Sequence, residues 1–144
     1  MELIIFCGAQ GAGKTSFYQN TFAKTHLRIS MDMLKTRRRE TAILNACLNC
    51  GQRCVIDNTN PTVAERARYI SAAKAFHFTP IIYFFETPIE QCLIRNNSRT
   101  GKERIPERGV QATYLKLEMP TLEEGVASIY IVDAVGQVRL EKRV

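Results

Sequence analysis

No stretch of the sequence approaches the roughly 20 apolar residues that a membrane span requires. The one apolar run near its start, Leu3 to Cys7, is too short for a signal-peptide core and has no basic segment before it. The expectation is a cytoplasmic protein without a membrane partner. Cysteines are few and odd in number, five in all, so reduced thiols are expected rather than a disulfide framework. Histidines are scarcer still. His26 and His77 stand far in sequence from Cys47, Cys50 and Cys54, which leaves that cysteine string short of the four ligands of a structural zinc site. These thiols, and Cys7, are expected to be buried. Internal repeats, low-complexity tracts and Pro/Gly/Ser-rich linkers are missing too, so the 144 residues read as one domain, 1–144, with one core. Oligomeric state stays open.

Acid is the scarcer charge: 14 Asp and Glu stand against 20 Lys and Arg, a net charge of +6. The excess suits an anionic partner, and its placement says more than its sum. Lys35, Arg37, Arg38 and Arg39 form one cluster. Arg95, Arg99, Lys102, Arg104 and Arg108 form a second, diluted by Glu103 and Glu107.

What is present is an alternation of short apolar runs with helical patterns. It predicts an α/β fold in three layers: five mostly parallel strands flanked by helices, with a small basic lid over about 95–108. Strands are expected at 3–7, 27–30, 54–56, 81–85 and 129–132, and 137–144 reads as an edge strand or a frayed tail. One helix is expected over 15–24. Another is expected over 34–50, with Ile43, Cys47 and Cys50 on its apolar face and Gly51 as its stop. A third is expected over 61–76, with Asn60 as N-cap and Pro61 at its first position. The string Thr87-Pro88-Ile89-Glu90 matches a capping box and predicts a helix from Pro88. Pro106 opens the last one, with Val110, Tyr114 and Leu117 on one face, and Pro120 stops it.

Gly8-Ala9-Gln10-Gly11-Ala12-Gly13-Lys14-Thr15, followed by Ser16, fits G-x-x-x-x-G-K-[ST] between an expected strand and an expected helix, the setting this motif requires. Glycines let backbone amides approach phosphate oxygens with no Cβ in the way. Those amides and the helix N-terminus form a cup for anions. Lys14 would reach the β- and γ-phosphates, and the Thr15 hydroxyl would bind Mg²⁺.

Phosphoryl transfer also needs a group to orient and deprotonate the acceptor. Asp32 follows the second strand and Asp57 ends the third, so in a parallel sheet both open on the edge that carries the phosphate loop. Each also suits an N-cap or a turn. Arg53-Cys54-Val55-Ile56-Asp57 resembles a Walker B strand, whose carboxylate shares the metal with Thr15. Arg95 and Arg99 lie four apart on one helix face. They suit a lid that brings guanidinium groups over the phosphates, or a solvated helix end.

The phosphate loop, the acid after the second strand, and Val55-Ile56-Asp57-Asn58-Thr59-Asn60-Pro61 with Arg66-Ala67-Arg68-Tyr69 resemble the kinase domain of polynucleotide 5′-kinases. So do Arg95-Asn96-Asn97-Ser98-Arg99, which is similar to the family's lid, and Pro120-Thr121-Leu122-Glu123-Glu124-Gly125, which is similar to its C-terminal signature. The likeness covers most of the chain, with no phosphatase portion. It implies ATP and Mg²⁺ as cofactors and a nucleic acid with a 5′-hydroxyl end as substrate. It implies Asp32 as general base, and Lys14 and Arg99 as stabilisers of the transferring phosphoryl group. Residues 8–16 with Arg95 and Arg99 would hold the nucleotide, and Asp32, Lys35, Asp57 and Asn58 would line the acceptor side. Met31 and Lys35 stand where arginines are usual in the family or in its phage member. A small-molecule kinase on the same scaffold and a slow ATPase switch are the alternatives.

Overall fold

A computed structural model describes residues 1–144 apart from the side chain of Lys102. Lys102, a member of the expected lid cluster, therefore lies outside the described side chains. The strands are β1 (Glu2–Cys7), β2 (Leu27–Ile29), β3 (Cys54–Ile56), β4 (Thr79–Phe85), β5 (Ser128–Val132) and β6 (Val138–Arg143). The helices are α1 (Lys14–Thr21), α2 (Met31–Leu34), α3 (Arg37–Cys50), α4 (Val63–Ala75), α5 (Ile89–Asn97) and α6 (Glu107–Lys116).

Parallel strands cannot be joined by tight hairpins, so each pair is linked by a helical crossover packed on one face. The order is β2-β3-β1-β4-β5-β6, with β1 to β5 parallel and β6 antiparallel at the edge. Strand β1 is apolar on both faces because it is central. Leu3, Ile5 and Cys7 meet α3 and α4 through Leu44, Cys47, Leu48, Tyr69, Ile70 and Ala73. Ile4 and Phe6 meet Phe17 of α1, Cys92 of α5 and Val110 of α6. Each fully buried side chain of this size contributes about 1.5–3 kcal/mol. Together they hold the carboxyl ends of the five parallel strands at one edge. Among the described residues, no helix is long and apolar enough to cross a membrane.

Several local expectations give way to tertiary contacts. The sheet has six strands instead of five, because the tail pairs with β5 from Ser128↔Arg143 to Val132↔Val138. The first helix ends at Thr21, and the helix expected over 34–50 is broken. Lys35 takes φ 70 and separates α2 from α3, whose N-cap is Thr36. The buried face of α3 is Leu44, Cys47 and Leu48, which leaves Ile43 and Cys50 exposed. Asn60 is not a helix cap: Thr62 is, in a capping box with Glu65, while Asn60 sits at φ 43 and donates to the Phe6 carbonyl at 2.8 Å. Thr87 does not cap α5 either. Its hydroxyl donates to the Ala12 carbonyl at 2.8 Å, inside the phosphate loop.

Candidate functional site

The loop from Gly8 to Thr15 runs from the end of β1 to the start of α1. Gly11 and Gly13 take φ 80 and 97, where other L-residues are strained. A Cβ on Gly11 would lie 2.3 Å from the Cys92 carbonyl oxygen, so α5 closes on the loop only over a glycine. Gln10 Nε2 donates to Thr113 Oγ1 of α6 at 3.2 Å, and the Gly8 amide donates to the Thr59 carbonyl at 2.9 Å. The loop is thus preformed, pinned by α5, α6 and the segment after β3.

Four cations meet there. Lys14 Nζ donates to the carbonyls of Gly8 and Ala9 at 2.9 and 2.8 Å. Burial pushes its pKa down, the Asp57 carboxylate opposes the shift, and the Arg99 guanidinium adds to it. Arg95 lies over the loop, with Nη1 3.0 Å from the place a Gly13 Cβ would occupy, and its Nη2 donates to the Ala134 carbonyl in the β5–β6 turn. The segment expected as a lid, about 95–108, is anchored by fully buried Asn96, which accepts from the Ile105 amide and donates to its carbonyl.

The fourth cation is Arg28. Its Nε donates to Asp57 Oδ2 at 2.7 Å and its Nη2 to Thr15 Oγ1 at 3.3 Å, while Thr15 Oγ1 donates to the same Oδ2 at 3.2 Å. A hydroxyl and a carboxylate this close form the oxygen set that a hard divalent cation takes, so Thr15 and Asp57 fit magnesium.

Beyond the loop, Asn58 accepts from the Met31 amide at 2.9 Å and so ties α2 to the end of β3. Asp32 is exposed in the first turn of α2, and no ion pair of the described residues engages it. Glu40 of α3, which Asn58 also reaches, is almost fully buried. It accepts from Arg37 at 2.9 Å, Arg68 at 2.7 Å, the Tyr69 hydroxyl at 2.9 Å and Asn58 at 2.8 Å. A buried carboxylate with four donors is satisfied, and it holds two half-exposed guanidinium groups in place. Arg37, Asn58, Thr59, Pro61, Arg68 and Tyr69 line an open cavity of about 320 Å³.

Residues 3–119 match the AAA domain family. The chain belongs to that family. It is 26% identical over 133 residues to the bifunctional polynucleotide phosphatase/kinase of Schizosaccharomyces pombe, across 89% of this chain and 32% of that protein. A protein of Acanthamoeba polyphaga mimivirus, named as a candidate bifunctional polynucleotide phosphatase/kinase, is 33% identical over 100 residues, or 68% of this chain and 24% of that one. The chain therefore spans about a third or less of the length of these relatives. In structure, Kti12 of Chaetomium thermophilum in complex with ADP-AlF3 superposes with a TM-score of 0.73 at 14% identity, over 91% of this chain and 88% of that one. The fold is that of P-loop kinases, and the phosphate loop of this AAA-domain chain is a nucleotide-binding element.

The structure brings Lys14, Thr15, Asp57, Arg95 and Arg99 to the loop and joins Asn58 to α2, which carries Asp32. Lys35 is exposed at the end of α2 and joins no ion pair of the described residues. Sequence reasoning misses Arg28 and Glu40. The signal for Arg28 is a lone cation inside the apolar triplet of β2. For Glu40 it is an acid directly after three arginines.

Proposed function

We propose that the chain is an ATP-dependent kinase that transfers the γ-phosphoryl group to the 5′-hydroxyl of a polynucleotide. The observation that carries this reading is the open cavity at Asn58, the residue bonded to α2, where Arg37 and Arg68, fixed on buried Glu40, outnumber the one lining acid, Glu65. A polyanion needs an open, cationic acceptor side, and the two named relatives support the same acceptor. In this reading the loop amides, Lys14, Arg95 and Arg99 hold the triphosphate, and Thr15 and Asp57 hold the magnesium. Bound Mg²⁺ spreads the negative charge of the β- and γ-phosphates. Asp32 takes the proton of the 5′-hydroxyl as the new O–P bond forms and ADP leaves. Lys35 and Asn58 position the strand.

The test is label transfer from γ-labelled ATP to 5′-hydroxyl DNA and RNA oligonucleotides. The expected result is a labelled 5′ end whose yield falls steeply with salt. ADP binding without label on either oligonucleotide overturns the polynucleotide acceptor in favour of a small-molecule one. ATP hydrolysis with no acceptor at all favours the slow switch.

Lys35 offers a second check. Its φ of 70 with ψ −33 lies outside the left-handed helical region and strains any L-residue by about 1–3 kcal/mol. Lys35→Gly is expected to raise unfolding stability in urea by about 1 kcal/mol after glycine's own entropy loss of about 0.5–1 kcal/mol. It should also raise KM for the oligonucleotide severalfold with KM for ATP unchanged. A variant that gains no stability and binds strand normally would remove Lys35 from the acceptor site.

A further inference from the structure

Strand β2 is three residues long, and its pleat puts Leu27 and Ile29 on one side and Arg28 on the other, level with Val55 of β3. Val55 belongs to the layer covered by α1, so the Arg28 side chain runs under α1 towards the phosphate loop. Its guanidinium ends between Asp57 and Thr15, with side-chain exposures of 23% for Arg28 and 2% for Asp57. A carboxylate so deeply buried requires a positive partner. Two partners fit this one: a divalent cation shared with Thr15, or the guanidinium seated on the same oxygen. The place is already rich in positive charge, because the Arg99 guanidinium acts on Lys14 across the loop, against the pull of the Asp57 carboxylate.

We infer that Arg28 is the resident counter-ion of Asp57 and competes with magnesium for the Thr15–Asp57 pair. A divalent ion entering beside a fixed guanidinium meets repulsion and loses Oδ2 unless Arg28 turns away. Metal-free nucleotide meets an extra cation at the mouth of the loop. Arg28 therefore evens out the affinities for metal-free and magnesium-bound nucleotide, and is a specificity-determining residue for the form of nucleotide that binds. The inference rests on the magnesium assignment proposed above, and it needs no acceptor.

The experiment measures ADP dissociation constants by calorimetry with the whole chain, once in EDTA and once in magnesium. In the wild type the two constants should agree within about threefold. Arg28→Gln should widen the ratio about tenfold in favour of magnesium, the order expected for removing one nearby unit charge in a partly buried site. Arg28→Lys keeps the charge and should stay near the wild-type ratio, which a merely structural strut would not do. Adding Asp57→Asn to Arg28→Gln should erase the gain. Thermal unfolding of each sample reports whether it folds. If Arg28→Gln does not fold, the wild-type ratio decides alone: a preference for magnesium-bound ADP of tenfold or more overturns the inference, as does a folded Arg28→Gln with an unchanged ratio. A wild type that binds no ADP in either buffer overturns the nucleotide site itself and this inference with it.

Discussion

Asp32→Asn is expected to cut label transfer to a 5′-hydroxyl oligonucleotide by about 10²–10⁴-fold, the usual contribution of a positioned general base. ADP affinity should stay near that of wild type. The two halves of this expectation come from different parts of the molecule. The nucleotide is held by a loop pinned through Cys92, Thr87 and Thr113, none of which belongs to α2. Asp32 stands in the first turn of α2, a four-residue helix held by the bond from the Met31 amide to Asn58. The competing role for an acid in that position is to favour a helix N-terminus, worth about 0.3–1 kcal/mol of stability. That role predicts a small loss in unfolding free energy and unchanged transfer. The catalytic role predicts the reverse, because amide and carboxylate have nearly the same shape and differ in the ability to accept a proton. Single-turnover rates measured beside urea unfolding separate the two. Transfer within threefold of wild type would remove Asp32 from the chemistry.

The contrast between what the sequence makes visible and what it hides follows one physical line. The phosphate loop is legible because each of its constrained residues has a local reason: two glycines at positive φ, a lysine and a hydroxyl at a helix start. Strands β1 and β3 are legible because they are buried on both faces, and β4 because it is apolar from Pro80 to Phe85, with one face mostly buried and the other half-buried. The phase of α3 is not, since Ile43 and Leu44 are adjacent and periodicity alone does not choose between them; the packing of Leu44 and Leu48 on the sheet does. The break at Lys35 has no local signal, because nothing in a lysine announces positive φ. Asn60 and Thr87 carry sound capping signals, yet their side chains bond to Phe6 and Ala12 across the fold. Glu40 reads as a surface partner of its neighbouring arginines, and its burial depends on Arg68 and Tyr69 arriving from α4, 28 and 29 residues away. Functional side chains that act through long-range partners are the ones a linear reading loses.

The largest expected effect on stability lies at Arg66, whose side chain is fully buried. Its Nε and Nη2 grip the two oxygens of Glu124 at 2.9 and 3.0 Å. Nη1 donates to the carbonyls of Asn60 and Pro61 at 3.0 and 3.2 Å, and Nη2 also donates to that of Glu118 at 3.1 Å. One guanidinium thus joins the segment after β3, which carries Asn58 and Asn60, to the segment after α6. It also touches Cys7 at the head of the phosphate loop, 3.3 Å from the sulfur, where burial pushes the thiol pKa up to about 11 and keeps it neutral. Arg66→Ala leaves Glu124 as an unpaired buried charge and is expected to cost about 3–5 kcal/mol, a large share of a domain's usual margin of about 5–15 kcal/mol. Replacing both partners, Arg66→Met with Glu124→Leu, removes the unpaired charge but still strands the buried Asn60 carbonyl, whereas the Pro61 carbonyl keeps the Glu118 amide at 2.7 Å. It should therefore recover only part of the loss, because each unsatisfied group costs about 1–3 kcal/mol. Urea unfolding of the two single variants and the double variant measures the coupling. A double variant as stable as wild type would mean that the ion pair matters and the carbonyl bonds do not. A loss below about 1 kcal/mol in Arg66→Ala would mean that the loop after β3 holds its shape without this arginine, through Asn60, the Thr59–Gly8 bond and the Glu118 amide on the Pro61 carbonyl.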